Sequence, residues 1–223
     1  MSADVDPELV THCDDGVGQP APALLWRFDR PMRAISSAVL GGGLVDCSWV
    51  LNAQVTLDYR NDDPAEHLSR IAKELGLDHR DGIGLMTAAR VRNVATARDQ
   101  AVRCDATVGL SYPTWAAAPD EVTPPTSRWR PGTINLVCRL PVRMSEAALV
   151  NAVVTATEAK TQALLRSGVP GTGTASDAVV VCCPAHGEPE PYGGPRSAWG
   201  ARLARAVHDA VLLGTARYAA GRA

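Results

Sequence analysis

The order in which two hydrophobic periods alternate along the chain restricts its fold more than any other feature. Extended, β-prone runs at Leu24–Phe28, Ala34–Leu40 and Leu51–Tyr59 precede a first helix. Runs at Thr87–Ala97, Val102–Leu110 and Thr133–Leu140 precede a long second helix over Ser145–Ser167. One more strand, Asp177–Cys182, separates that helix from a last one over Ser197–Tyr218. A purely parallel sheet needs a crossover helix between successive strands, and here three helical stretches serve seven extended ones. The pattern predicts a single α+β domain over residues 24–223, a mixed β-sheet with three main helices packed on it. At 223 residues, 46% of them apolar, the chain buries a core without disulfide staples.

The first helix carries clear punctuation. Asp63 is placed as N-cap, Pro64 takes the first helical position, and Glu66 completes a capping box. Leu68, Ile71, Ala72 and Leu75 form its apolar stripe, and Gly76 ends it. Residues 1–23 hold five acidic side chains and no Lys or Arg, then a Gly/Pro cluster, and are expected to be a disordered tail. Pro113–Pro131 reads as a surface loop.

Charge and cysteine use set aside several functions. A net charge of -2 lacks the basic footprint of a nucleic-acid binder. No apolar run reaches the ~20 residues of a membrane span, and the N-terminus shows no basic-then-apolar signal, so a cytoplasmic protein without a membrane partner is expected. The six cysteines form no C-x-x-C pair, and Cys182 and Cys183 would point to opposite faces of one strand. The five histidines show no H-E-x-x-H spacing, so no metal and no cofactor is expected.

Among 22 basic residues only Lys73 and Lys160 are lysines. Lys73 sits beside Glu74, off the stripe of an ordinary helix. Lys160 does not. With Leu149 set at zero and about 100° per residue, Val150, Val153, Val154, Leu164 and Leu165 span roughly 40° to 160°. Ala152, Ala156, Ala159 and Ala163 fall between about 280° and 340°; Asn151, Thr155, Glu158, Gln162 and Arg166 form a polar stripe from about 180° to 260°. Lys160 falls near 20°, inside the apolar arc, with Thr157 and Thr161 close by. A buried ammonium costs several kcal/mol unless it is paired or neutral. It either snorkels or pairs structurally, or it serves a site. Glu158, roughly 160° away, is a solvated residue or a base facing another way.

Pro170-Gly-Thr-Gly-Thr-Ala-Ser-Asp177 enters the following strand directly. Gly171 and Gly173 allow close backbone approach, Thr174 and Ser176 supply hydroxyls, and Asp177 either closes an Asx turn or orients a base. Asn135, in Gly132-Thr133-Ile134-Asn135, and Asn52, in the strand before the first helix, place amides where a substrate amide would bind. No G-x-S-x-G elbow and no papain-like cysteine signature is present.

Taken together the segments resemble one family. They are Ser36-Ser37-Ala38-Val39, Gly42-Gly43, Leu51-Asn52-Ala53-Gln54-Val55, Gly84-Leu85-Met86-Thr87-Ala88-Ala89 and Gly132-Thr133-Ile134-Asn135. Thr157-Glu158-Ala159-Lys160-Thr161, Gly171-Thr172-Gly173-Thr174, Asp177-Ala178, Tyr192-Gly193-Gly194 and Trp199-Gly200 continue the series. In this order, from about residue 33 to 213, they resemble the adenosylcobinamide amidohydrolases of corrinoid salvage. One departure falls at Ala106–Leu110, where a turn is expected and Val108 holds its middle. The resemblance implies a corrinoid substrate, adenosylcobinamide, hydrolysed to adenosylcobyric acid and 1-amino-2-propanol for cobalamin synthesis. The other reading is a corrinoid-binding carrier without hydrolysis; a homo-oligomer is compatible with either.

The resemblance supplies no mechanism; the chemistry of amide hydrolysis gives Glu158, Lys160, Asp177 and Thr174 as the expected catalytic set. Glu158 or Asp177 would be the base for an attacking water, and Lys160 would steady the oxyanion or protonate the leaving amine. In the rival mechanism Thr87 or Thr174 is the nucleophile, activated by Lys160. Asn52, Asn135, Thr87 and Thr133 would bind substrate. Gly42, Gly43, Gly171, Gly173 and Gly193 would admit the bulky corrin.

Overall fold

The computed structural model describes residues 5–13, 18–119 and 132–221. One long strand organises them. β2 (Ala21–Ser36) runs sixteen residues antiparallel to β3 (Gly43–Gln54), and its register slips between Arg27 and Met32. Pro31 lies in that interval and has no N–H to donate, so the ladder breaks and the strand bends there. On its other edge the two halves take different partners. Met32–Ser36 pairs with β8 (Ala178–Pro184), and Ala21–Leu25 pairs with β1 (Glu8–His12). β4 (Gly82–Thr87) adds parallel to β3. β7 (Thr133–Arg139) adds parallel to β8, then β6 (Val102–Gly109) and β5 (Ala95–Asp99) add antiparallel. The result is one eight-stranded mixed sheet of order β4-β3-β2-β8-β7-β6-β5, with β1 beside β2.

The sheet folds onto itself. Asn52 of β3 donates to Thr107 Oγ1 of β6 at 3.0 Å, although three strands separate them in the sheet order. Trp26 Nε1 of β2 reaches Asp105 Oδ2 of β6 at 3.0 Å. Strand alternation then assigns three apolar layers. Leu24, Trp26, Val50, Ile83 and Leu85 meet Val137, Val180 and Cys182 between the two halves of the sheet. Ala23, Leu25, Leu51 and Ala53 face outward beneath Leu68, Ile71 and Ala72 of α1 (Pro64–Glu74). Cys104, Ala106, Leu136, Cys138, Val181 and Cys183 face outward beneath α2 (Glu146–Arg166) and α3 (Ala198–Ala220). The α+β expectation therefore holds, in a four-layer helix–sheet–sheet–helix arrangement. Cys182 and Cys183 do point to opposite faces, and five of the six cysteines are buried free thiols.

Helix caps follow the sequence closely. Asp63 Oδ1 accepts from Glu66 N at 2.9 Å and Pro64 opens α1. The capping box is only half made, because Asp63 N donates to Asn61 Oδ1 instead. Gly76 at φ +70° and the Leu77 N to Ala72 O bond close the helix. Ser145 and Ser197 cap α2 and α3.

Two expectations change. Glu8–His12, placed in a disordered tail, is a strand. Because β8 covers only the second half of β2, Ala21–Leu25 keeps an open edge, and β1 fills it. The N-terminal segment is also tied inward: Asp6 accepts from Arg103 and the Val5 carbonyl from Arg139. The extended run expected over Val102–Leu110 is β6, and Val108, where the chain departs from the family's turn, packs on Gly214 of α3. Of the Pro113–Pro131 loop, residues 120–131 lie outside the described residues.

The second change concerns the face of α2. Val150, Val154 and Leu165 are 52%, 48% and 51% exposed, while Ala152, Ala156, Ala159 and Ala163 are buried with Leu149 and Leu164. α2 packs on both the sheet and α3, and small side chains let the backbones approach. The buried arc thus centres on the alanines. Lys160 stays buried, at its edge. Thr155, expected on the polar stripe, is buried and donates to Gly193 O at 2.9 Å.

Candidate active site

α2 and the loop before β8 meet at a buried ion pair. The Lys160 ammonium donates to Asp177 Oδ2, and the two side chains are 8% and 11% exposed. Asp177 is saturated. Its Oδ2 also accepts from Thr174 N at 3.1 Å, and its Oδ1 accepts from Ile134 N at 2.9 Å and Thr174 Oγ1 at 2.5 Å. Because Ile134 is the second residue of β7, this one carboxylate joins α2, the Gly/Thr loop and the start of two parallel strands. Lys160 takes the paired option, and neither Thr87 nor Thr174 is bonded to it.

Thr174 has a choice. Its hydroxyl lies 2.5 Å from Asp177 Oδ1 and 2.7 Å from Gly132 O, and one proton serves only one acceptor at a time. Rotation toward Gly132 leaves Asp177 Oδ1 with Ile134 N alone and opens its second lone pair. Ser176 Oγ bonds Thr133 Oγ1 at 2.9 Å and donates to Gly132 O at 3.2 Å, so three hydroxyls surround the start of β7.

Asp177 also lines a cleft of roughly 350 Å³. The cleft opens between the C-terminal ends of β3 and β4 and the N-terminal ends of β7 and β8. One wall carries Thr133, Asn135, Ser176 and Asp177; the other carries Val55, Thr56, Tyr59, Thr87 and Ala88. Two of its polar atoms are buried without partners, Asn135 Oδ1 and Thr56 Oγ1. Asn135 Nδ2 is doubly engaged, with Asn52 Oδ1 at 2.9 Å and Met86 O at 3.0 Å, and Asn52 in turn donates to Thr107. This chain of amides fixes which way Asn135 points and leaves its oxygen as an open acceptor. Such an oxygen suits the N–H of a bound amide, and a nearby carboxylate suits proton transfer. Among the described residues no three His, Cys, Asp or Glu side chains gather as a metal site.

The structure thus brings together Lys160, Asp177, Thr174, Asn52, Asn135 and Thr133, with Thr87 on the opposite wall. Thr87 Oγ1 accepts from Ala89 N at 3.0 Å and shapes the turn after β4. Glu158 is not brought in. It is exposed on the far side of α2, as its angle implied, and lines no part of the cleft.

The five glycines also differ from expectation, since none lines the cleft and four pack against the protein itself. A Cβ on Gly42 would meet Ala38 O, one on Gly171 the Thr114 backbone at 2.7 Å, and one on Gly193 the Ala148 and Ala152 backbone of α2. Gly43 takes φ +89° in the turn into β3. Gly173 belongs to the site itself. A Cβ there would lie 2.6 Å from Lys160 Nζ and closer still to Asp177 Oδ2, so only glycine admits the ion pair.

Sequence reasoning missed Thr56 and Tyr59. Tyr59 Oη bonds His67 Nδ1 at 2.8 Å, with the two rings stacked at 5.4 Å, which ties the cleft wall to α1. Thr56 follows β3 in no motif, and only its orphaned hydroxyl marks it.

Relatives define the class, an amide-cleaving hydrolase. A protein of Halobacterium salinarum named adenosylcobinamide amidohydrolase is 38% identical over 176 residues, 76% of this chain and 74% of that one. One of the same name from Methanosarcina mazei is 29% identical over 187 residues, 80% of this chain and 88% of that one. Residues 7–223 match the adenosylcobinamide amidohydrolase family, and the chain belongs to it. A solved Burkholderia sp. beta-aminopeptidase superposes with a TM-score of 0.42 at 13% identity, over 96% of this chain and 86% of that one. No helix among the described residues is long and apolar enough to cross a membrane.

Proposed function

We propose that this protein hydrolyses the amide joining 1-amino-2-propanol to a propionyl arm of the corrin ring. Adenosylcobinamide would give adenosylcobyric acid and the free amino alcohol, a cytoplasmic salvage step ahead of cobalamin synthesis. Family membership supports the substrate. The observation that carries the reaction is Asn135 Oδ1, a buried acceptor without a partner in a cleft that also holds the Asp177 carboxylate. A cavity of roughly 350 Å³ takes an amide side arm rather than a macrocycle, so the ring lies against the mouth, near the exposed Val39.

Asn135 accepts the scissile N–H, held in orientation by Asn52, while Thr133 and Thr87 line the bound arm. Water attacks the carbonyl carbon. As Thr174 swings its hydroxyl to Gly132 O, Asp177 takes the water proton and the new C–O bond forms. The Lys160 ammonium behind the carboxylate offsets the negative charge developing on the amide oxygen. The proton then passes to the nitrogen, the C–N bond breaks, and the amine leaves. Lys160, Asp177 and Thr174 thereby carry the catalytic roles.

Incubating the protein with adenosylcobinamide, with and without a chelator, and detecting cobyric acid by mass tests this reading. Product formed under both conditions is expected. Tight binding without product would favour a corrinoid carrier, and product lost with chelator would refute the metal-free route. A corrinoid ester trapped on the protein by rapid quench would replace water with a threonine nucleophile.

A further inference from the structure

Thr56 holds the second orphaned polar atom of the cleft, and nothing above gives it a task. The turn that carries it is pinned on either side: Val55 N donates to Thr87 O at 2.9 Å and Tyr59 N donates to Thr56 O at 3.1 Å. Its Oγ1 is buried and has no partner. A buried hydroxyl left unmatched is costly, and a ligand group that matches it gains that difference. Asn135, 1% exposed, presents the same situation across the cleft. Two unmatched polar atoms on facing walls are a two-point anchor.

The two atoms ask for different chemistry. Asn135 Oδ1 only accepts, so it takes an N–H. Thr56 Oγ1 both donates and accepts, so it suits a hydroxyl, which does the same. Val55, Tyr59 and Ala88 around Thr56 are largely apolar and suit a small alkyl group.

The geometry points to Thr56 as the residue that recognises the hydroxyl of the leaving amino alcohol while Asn135 holds the amide N–H. Resting on the hydrolysis proposed above, this assigns the cleft to the leaving group rather than to the acyl side. It makes the enzyme selective for amides of a β-hydroxy amine over amides of a simple alkyl amine.

The test uses two corrinoid amides, adenosylcobinamide and its analogue made with n-propylamine, against the native protein, Thr56→Val and Thr56→Ser. Both kcat/KM and equilibrium binding are measured. The native protein is expected to favour the hydroxyl-bearing amide about tenfold, the factor one neutral hydrogen bond supplies. Thr56→Val erases the preference by weakening only adenosylcobinamide, and Thr56→Ser keeps it. A preference unchanged in Thr56→Val, or an equal loss on both amides, overturns the assignment. If neither amide is turned over but the binding preference still follows Thr56, the reaction falls and the subsite stands. Turnover of both amides without preference has the opposite meaning.

Discussion

Gly173→Ala isolates the ion pair with one methyl group. The added carbon would sit 2.6 Å from Lys160 Nζ and nearer still to Asp177 Oδ2, well inside a van der Waals contact of about 3.5–4.0 Å. One of the two side-chain ends has to shift. Asp177 is held by Ile134 N and the Thr174 backbone, and Lys160 emerges from a helix packed on the sheet. The pair must therefore separate. At 8% and 11% exposure little solvent screens it, and breaking a buried pair costs about 3–5 kcal/mol. The carboxylate keeps its other donors, which puts the expectation near 3 kcal/mol. For a chain of this size that lowers Tm by roughly 6–12 °C, read by thermal melts, with denaturant titration as a second measure. The control removes the obstacle. Gly173 is not among the glycines at positive φ, so alanine is conformationally acceptable there. In a Lys160→Ala/Asp177→Ala background the same substitution should be neutral or stabilise by about 0.4–1 kcal/mol. An equal penalty in both backgrounds would refute the reasoning, because the methyl would then be meeting something other than the pair.

Three further outcomes are expected. Lys160→Met should lower turnover of adenosylcobinamide by about 10²–10³, the usual cost of losing one aligned charge-stabilising group, and near-native turnover would remove Lys160 from the mechanism. The Asp78 carboxyl, which accepts bonds from the Arg80 side chain and backbone, is lowered to about 2. Its contribution to stability is present above its unfolded value near 4 and is lost as pH falls through about 2; carboxyl NMR titration with a midpoint near 4 would contradict this. Cys13 is the exposed thiol of the six, and the Glu74 carboxylate beside it raises its pKa. Alkylation of the native protein should therefore stop at one equivalent, proceed slowly at neutral pH, and quicken in Glu74→Gln; fast labelling of a second thiol would show that the buried cysteines are reachable.

Much of the site was legible as residue types, less so as geometry. Lys160 stood out because an ammonium on a buried helical arc requires an explanation, and Asp177 because a Gly/Thr loop delivers it into a strand. Their pairing was not readable, and the polar option for Glu158 was settled only once α2 was docked. The glycines misled for a physical reason. A missing Cβ signals close approach but not by what, and at Gly42, Gly171, Gly173 and Gly193 it is the protein's own atoms that approach.

By itself the sequence determined what depends on neighbours three or four residues away: the caps at Asp63, Ser145 and Ser197, the span of α2, the alternation that sends Cys182 and Cys183 to opposite faces. Tertiary structure decided everything that depends on register between distant segments. It turned the alanine face of α2 inward, recruited Glu8–His12 to an edge left open by β8, and joined Asn135 to Asn52 across 83 positions. The orphaned oxygens of Asn135 and Thr56 exist only in that context, because only packing takes an oxygen away from water without giving it a protein partner.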